Sequence, residues 1–96
     1  AAARRPVALI PLGAAADARA QVLAHDLRKA GYAVELGYSG NMKRRLSRAN
    51  KAGAAAAVII GDDELAKDVA TVRDMDSGEQ CEEPVAALVE SLALYR

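Results

Sequence analysis

A chain of 96 residues has room for one domain of ordinary size and no second. The hydrophobic share of 52% overstates the core, because 23 of those residues are alanines that each bury little area, which suits about two or three packed layers. Thirteen basic and thirteen acidic side chains cancel, the single cysteine Cys81 excludes an internal disulfide, and Cys81 with the lone histidine His25 cannot assemble a zinc site, so no metal is expected.

Residues 7–12 are apolar on both faces, the pattern of an interior parallel strand covered by helices on each side, and Gly13 ends it. Residues 15–30 turn helical: Ala16, Ala20, Leu23, Leu27 and Ala30 recur at three- and four-residue spacing, with Asp17 toward the start and Arg28 and Lys29 toward the end, where each complements the helix dipole. Gly31 is placed as a C-cap. Residues 33–36 read as a short second strand, closed by Gly37, Tyr38, Ser39 and Gly40. The next helix, over about 41–52, puts Met42, Leu46, Ala49 and Gly53 on one side and Lys43, Arg44, Arg45, Ser47, Arg48 and Lys51 elsewhere, with Ser39 or Asn41 as N-cap. Residues 55–60 form a third buried strand, after which Gly61 and the acidic run Asp62, Asp63, Glu64 open a short turn or helix. Residues 69–73 and 80–83 flank the turn signature Asp76, Ser77, Gly78 and read as a hairpin. Pro84 suits the first turn of a last helix whose buried stripe is Val85, Leu88, Val89 and Leu92.

The order β-α-β-α-β, hairpin, helix predicts a parallel sheet with helices on both faces and an antiparallel addition at one side, an α/β fold in three layers. The longest apolar runs, such as residues 54–60, fall far short of the roughly 20 residues that cross a bilayer, and no signal peptide is visible, so a cytoplasmic protein with no membrane partner is expected. A start at Ala1 without methionine, running straight into a strand-like segment, leads to the expectation of a piece of a longer chain: residues 1–6 a linker remnant, residues 7–96 the domain.

In an open parallel sheet, ligands bind beyond the carboxyl ends of the strands, where loops diverge and helix N-termini point their free amides outward. Three glycine-bearing loops belong to that edge: Pro11-Leu12-Gly13, Gly37-Tyr38-Ser39-Gly40 and Gly61-Asp62-Asp63-Glu64. Glycine in each is equally accounted for by turn chemistry. The charge balance adds a second clue, since residues 1–53 carry a net +7 and residues 54–96 a net −7. On the helix over 41–52, Arg44, Arg48 and Lys51 share a stripe with Lys43 and Ser47 beside it, and no acid is present. A charge run is ordinarily a solvated face, yet such a face normally mixes its signs, which favours phosphate contact. Tyr38 at the start of that helix is placed to stack on an unpaired base, or to pack at the rim. Glu64 can accept hydrogen bonds from base amino or imino groups, and Arg73 or the amide of Gln80 can donate to base carbonyls. The run Asp62, Asp63, Glu64 is a weak Mg²⁺ signal without a phosphate loop. No His and Cys pair at recognisable spacing, G-x-S-x-G elbow or G-x-x-x-x-G-K-[ST] loop is present, so no catalytic residue is assigned. His25 reads as an exposed helix residue and Cys81 as a small apolar strand residue.

Residues 7–13 (VALIPLG), 27–31 (LRKAG), 34–36 (VEL), 46–54 (LSRANKAGA), 58–65 (VIIGDDEL) and 77–80 (SGEQ), in that order and at near-constant spacing, resemble the C-terminal anticodon-binding domain of histidyl-tRNA synthetases, over about residues 7–92. The domain type is shared with the prolyl, threonyl and glycyl enzymes, and residues 35–40 (ELGYSG) and 77–80 favour the histidyl branch. The resemblance implies a mixed, mostly parallel five-stranded sheet flanked by helices, docked on a class II catalytic domain that makes histidyl-adenylate with ATP and Mg²⁺ and charges histidine tRNA, in a homodimeric parent. None of that catalytic core lies in these 96 residues, so no cofactor is assigned to them. It further implies that the residues matching Glu64 and Arg73 contribute to anticodon reading, and that the loop and helix matching Tyr38, Ser39, Asn41, Lys43 and Arg44 line the same groove. Arg48 and Gln80 complete the expected RNA-binding set. Asn50 stands where the family often has aspartate, and Arg73 where lysine is common. A GUG anticodon would offer guanine donors to a carboxylate and guanine and uracil carbonyls to Arg or Gln. Alternatives are a synthetase-like regulatory or accessory protein using the fold for protein contact, a prolyl-, threonyl- or glycyl-type relative, and a small nucleotide-binding enzyme, which the missing phosphate loop disfavours.

Overall fold

Two segments are buried at every residue, β1 (Val7–Pro11) and β3 (Ala56–Ile60), and they lie side by side, parallel, with Val7 opposite Ala56 and Pro11 opposite Ile60. Strands apolar on both faces have to sit in the middle of a sheet covered on each side, and these do. The computed structural model describes residues 5–36 and 42–93. β2 (Val34–Leu36) pairs parallel with the other side of β1, while β4 (Val69–Asp74) pairs antiparallel with β3, and β5 (Gln80–Pro84) antiparallel with β4. The sheet order is β2-β1-β3-β4-β5, so β4 is the one strand that runs against the rest.

Helices fill the connections. α1 (Ala14–Lys29) joins β1 to β2, and α2 (Met42–Lys51) precedes β3. α1 buries Ala16, Ala20, Leu23, Ala24 and Leu27, a stripe of helical period on a segment rich in alanine, the strongest helix former. It ends as the sequence signals: Ala30 keeps helical geometry, Gly31 takes φ +99, and the amides of Gly31 and Tyr32 donate to the carbonyls of Arg28 (3.1 Å) and Leu27 (3.0 Å). α3 (Asp62–Ala66) resolves the expected turn or helix after Gly61.

The last helix differs from expectation. Pro84 ends β5 in extended geometry instead of opening a helix, a 3-10 turn spans Val85–Ala87, and α4 is only Leu88–Ser91. The backbone amide that Pro84 lacks is of no consequence at the end of an edge strand. The expected stripe nonetheless points inward, with Val85, Leu88 and Leu92 buried and Val89 half-buried.

Two apolar clusters sandwich the sheet. On one face Val7, Leu9, Ala56, Val58, Ile60, Ala70 and Val72 meet α1 and the C-terminal residues Val85, Leu88 and Leu92. On the other, Ala8, Ile10, Ala57 and Ile59 meet Ala49 and Ala54, with Leu12, Leu46 and Met75 at the fringe. That second cluster takes in no residue of β4 or β5, whose side chains on this face include the polar Thr71, Arg73, Gln80 and Glu82. Arg5 and Pro6, expected to be linker, are packed at the amino edge of β3. Arg5 donates to the carbonyls of Gly53 (2.9 Å) and Ala54 (3.0 Å) and pairs with Asp76 (2.8 Å), and the Pro6 carbonyl accepts from the Ala55 amide (2.9 Å).

Candidate nucleic-acid interface

β1 leads through α1 to β2 on one side, and α2 returns the chain to β3 on the other, so the carboxyl ends of β1 and β3 form the switch point of the parallel sheet. The loops leaving those ends meet. The Leu12 amide donates to the Ile60 carbonyl (2.8 Å), and Leu12 and Asp62 stand against Gly61 and Gly13 respectively. Gly13 adopts φ +123, a backbone turn that L side chains rarely make, and a Cβ there would lie 3.5 Å from the Asp62 carboxylate. Two of the three expected loops are thus confirmed at one edge. The third, with Tyr38, Ser39 and the N-cap candidate Asn41, lies outside the described residues.

Glu64 sits in the first turn of α3 at this edge, half-buried, where its Oε1 accepts the Gly61 amide (3.1 Å). This reach-back bond fixes the carboxylate beside the start of the helix. A carboxylate has about four lone-pair sites, so the bond leaves acceptor capacity for a ligand.

α2 begins near the same edge and runs down the face of β1. Lys43, Arg44, Ser47, Arg48 and Lys51 are exposed, and Arg44, Ser47, Arg48 and Lys51 line a shallow open depression of about 230 Å³. The helix carries no acid in its first turn and Arg48 and Lys51 in its last. Its outer face is a single-sign groove about 10 Å long from Arg44 to Lys51 at the helical rise of about 1.5 Å per residue.

Arg73 and Gln80 are brought to each other but not to the loop edge. They are cross-strand partners, with Arg73 Nη1 donating to Gln80 Oε1 (3.4 Å), and Arg73 stands opposite Ala57, three residues back from Ile60. At about 3.3 Å per residue that is roughly 10 Å from the carboxyl edge. Because Ala57 faces α2, Arg73 and Gln80 share that face, two and three strands from β1, with Arg73 half-buried and Gln80 exposed. With its carbonyl oxygen bonded to Arg73, the Gln80 amide nitrogen is turned to serve as a donor.

One side chain escaped the sequence reading. Arg45, counted there only among the helix cations, is half-buried and donates through Nη1 to the Pro11 carbonyl at the end of β1, while its Nε is buried with no hydrogen-bond partner among the described residues. The signal was its position four residues before Ala49, on the border of the apolar stripe. His25 is exposed on α1, as expected. Cys81 is exposed on the edge strand, not packed as a small apolar residue, and its thiol donates to Glu83 (3.7 Å). Among the described residues no group of three His, Cys, Asp or Glu side chains is placed to hold a metal, and no helix is long and apolar enough to cross a membrane.

Residues 6–93 match the family model of an anticodon binding domain. The chain is 47% identical over 93 residues to a histidine–tRNA ligase of Rhodospirillum rubrum, and 47% over 92 residues to that of Gluconacetobacter diazotrophicus. These alignments cover 97% and 96% of this chain but 22% of each relative, so the chain spans about a fifth of their length. The structure of apo S. aureus histidyl-tRNA synthetase superposes with a TM-score of 0.86 at 29% identity, covering 92% of this chain and 23% of that one.

Proposed function

The chain belongs to the anticodon-binding domain family, and from that membership we propose that it reads the anticodon loop of histidine tRNA for a histidine–tRNA ligase. In this reading the remainder of the ligase, a cytoplasmic homodimer, binds histidine, ATP and Mg²⁺, makes histidyl-adenylate and transfers the amino acid, while this domain docks on the catalytic domain and holds the tRNA in register. Lys43, Arg44 and Arg48 neutralise backbone phosphates. Tyr38 stacks on a base, with Ser39 and Asn41 beside it. Glu64 accepts from guanine donors, and Arg73 and Gln80 donate to base carbonyls from their face of the sheet.

The observation that carries the reading is the electrostatic make-up of α2. Lys43, Arg44 and Arg45 fall in its first turn, where the helix dipole is itself positive, and Arg44 and Arg48 are a like-charged pair four residues apart. Each such cation costs about 0.3–1 kcal/mol and each like pair about 0.2–0.5 kcal/mol. A helix whose outer face met only water would gain by mixing its signs. A polyanion offsets the cost.

Binding of the 96-residue chain to a stem-loop bearing GUG, against the same stem with an unrelated loop, tests the reading. The GUG loop is expected to bind better at both low and physiological salt, and Arg44→Glu with Arg48→Glu to weaken binding by about tenfold or more with unchanged circular dichroism. Equal binding of the two loops, or no loss on charge reversal, defeats it.

A further inference from the structure

Arg45 differs from every other cation of α2, because Lys43, Arg44, Arg48 and Lys51 are exposed whereas Arg45 is drawn inward to the Pro11 carbonyl. We propose that Arg45 is a positioning residue for RNA binding: its guanidinium pins α2 to the carboxyl end of β1, and the outer cations reach RNA together only from that pinned placement. The inference rests on the reading that α2 meets phosphates, and goes beyond it by assigning a residue that holds the interface without being part of it.

Three observations carry it. The bond spans 34 residues of sequence and ends at the terminus of β1, where Pro11 is paired with Ile60 of β3, so it ties the helix to the switch point. The Nε is buried without a partner among the described residues, a placement suited to packing against the sheet and unsuited to meeting a phosphate in solvent. Finally, the described apolar side chains of α2 bury little. Among its described side chains only Ala49 is buried and Leu46 partly so, against five buried residues on α1. To the contacts of Ala49 and Leu46 the Arg45 guanidinium adds a charge-assisted bond to a carbonyl, a directional tie that apolar packing does not supply.

Amide hydrogen exchange of the 96-residue chain, read without RNA, and affinity for the GUG stem-loop test this with Arg45→Met, Arg45→Lys and Arg48→Ala. Arg45→Met is expected to speed exchange of the α2 amides about tenfold, leave β1 and β3 protected, and weaken RNA binding about tenfold. Arg45→Lys, which keeps one donor for the carbonyl, is expected to restore most of the protection and affinity, and serves as the reference if the methionine variant does not fold. In the Arg45→Met background, Arg48→Ala is expected to lose much less than in the wild type, because a loosened helix no longer presents Arg48. Unchanged α2 exchange in Arg45→Met overturns the proposal, as do losses at Arg45 and Arg48 that simply multiply, which mark Arg45 as a direct contact. Failure of the wild-type chain to prefer the GUG loop strikes the functional reading instead, and is told apart because the exchange arm contains no RNA.

Discussion

Glu64 combines a local bond with a proposed recognition role, and the two come apart by substitution. Its Oε1 accepts the Gly61 amide at the head of α3, a bond that a glutamine carbonyl preserves while the charge is removed. Glu64→Gln is therefore expected to stay within about 0.5 kcal/mol of wild-type stability in urea unfolding. Its affinity for the GUG loop should fall about tenfold, because an amide is a weaker acceptor for guanine donors than a carboxylate. Glu64→Ala removes the bond as well and is expected to cost about 1 kcal/mol more. Wild-type affinity in the glutamine variant would remove Glu64 from the interface. Tyr32 presents the opposite case, a buried ring at 4% exposure whose hydroxyl donates to the Val89 carbonyl at 2.5 Å and so holds α4 to the end of α1. Tyr32→Phe is expected to lower the urea midpoint at constant slope, a loss of about 1 kcal/mol of stability, with no effect on RNA binding. At this scale Glu64 was legible as an acid following a buried strand. The inward turn of Arg45 was not, because residue type alone assigns an arginine to water, and only the border of the apolar stripe hinted otherwise.

The β4–β5 hairpin shows what an element can add to its residues. Asp74 Oδ1 accepts the amides of Asp76 and Ser77, both at 2.9 Å, Gly78 supplies φ +79, and the Gly78 amide returns to the Asp74 carbonyl at 2.8 Å. That is the chemistry its sequence announces, and the strands on either side were legible for the same reason: turn signals are local. Pro84 is ambiguous in sequence because proline suits both the first turn of a helix and the end of an edge strand, and only the pairing of Pro84 with Val69 decides between them. Nor does local sequence foretell that Arg5 clamps this turn, 71 residues away. The bond from Arg5, and then its charge, hold the Asp76 carboxyl below its ordinary 3.8. A depressed folded value means that the pair contributes stability fully present above the ordinary aspartate range and lost as pH falls through the lower folded value. The difference in melting temperature between wild type and Asp76→Asn is expected to be constant from about pH 7 to 5 and to shrink below about pH 4. With side chains 47% and 71% exposed it should also shrink in high salt. A difference that persists unchanged at pH 3 would place the contribution elsewhere.

At the scale of the molecule, part of the split of +7 and −7 between the two parts of the sequence becomes a split in space, although Asp62, Asp63 and Glu64 stay at the loop edge where α2 begins. The cations of α2 lie over β1 and its neighbour β3, whereas Glu79, Glu82 and Glu83 belong to β5 and its turn, at the far side of the sheet. From β1 to β5 is three strand spacings, about 14 Å at about 4.8 Å each, longer than the Debye length of about 8 Å at physiological salt. Along α2 itself the cations are therefore little offset by the acids of β5. The β-α-β order, the buried central strands and the loop edge were legible because hydrophobic pattern and strand polarity fix them together. How far Arg73 and Gln80 stand from that edge was not, because it depends on the register of β4 against β3. A chain of zero net charge acting as a uniform body would bind RNA with little dependence on salt. Three phosphate contacts, through Lys43, Arg44 and Arg48, instead predict a slope of log K against log salt of about −2 to −3, at roughly −0.7 to −0.9 per contact. Arg44→Ala and Arg48→Ala should each make that slope shallower by about one contact's worth. Lys67→Ala should leave it unchanged, since Lys67 lies at the end of α3 in the acidic half, 4.0 Å from Glu82. Titrations of the stem-loop between 50 and 300 mM salt decide the matter: a slope near zero, or one that Lys67 alters as much as Arg48, would mean that RNA does not bind along α2.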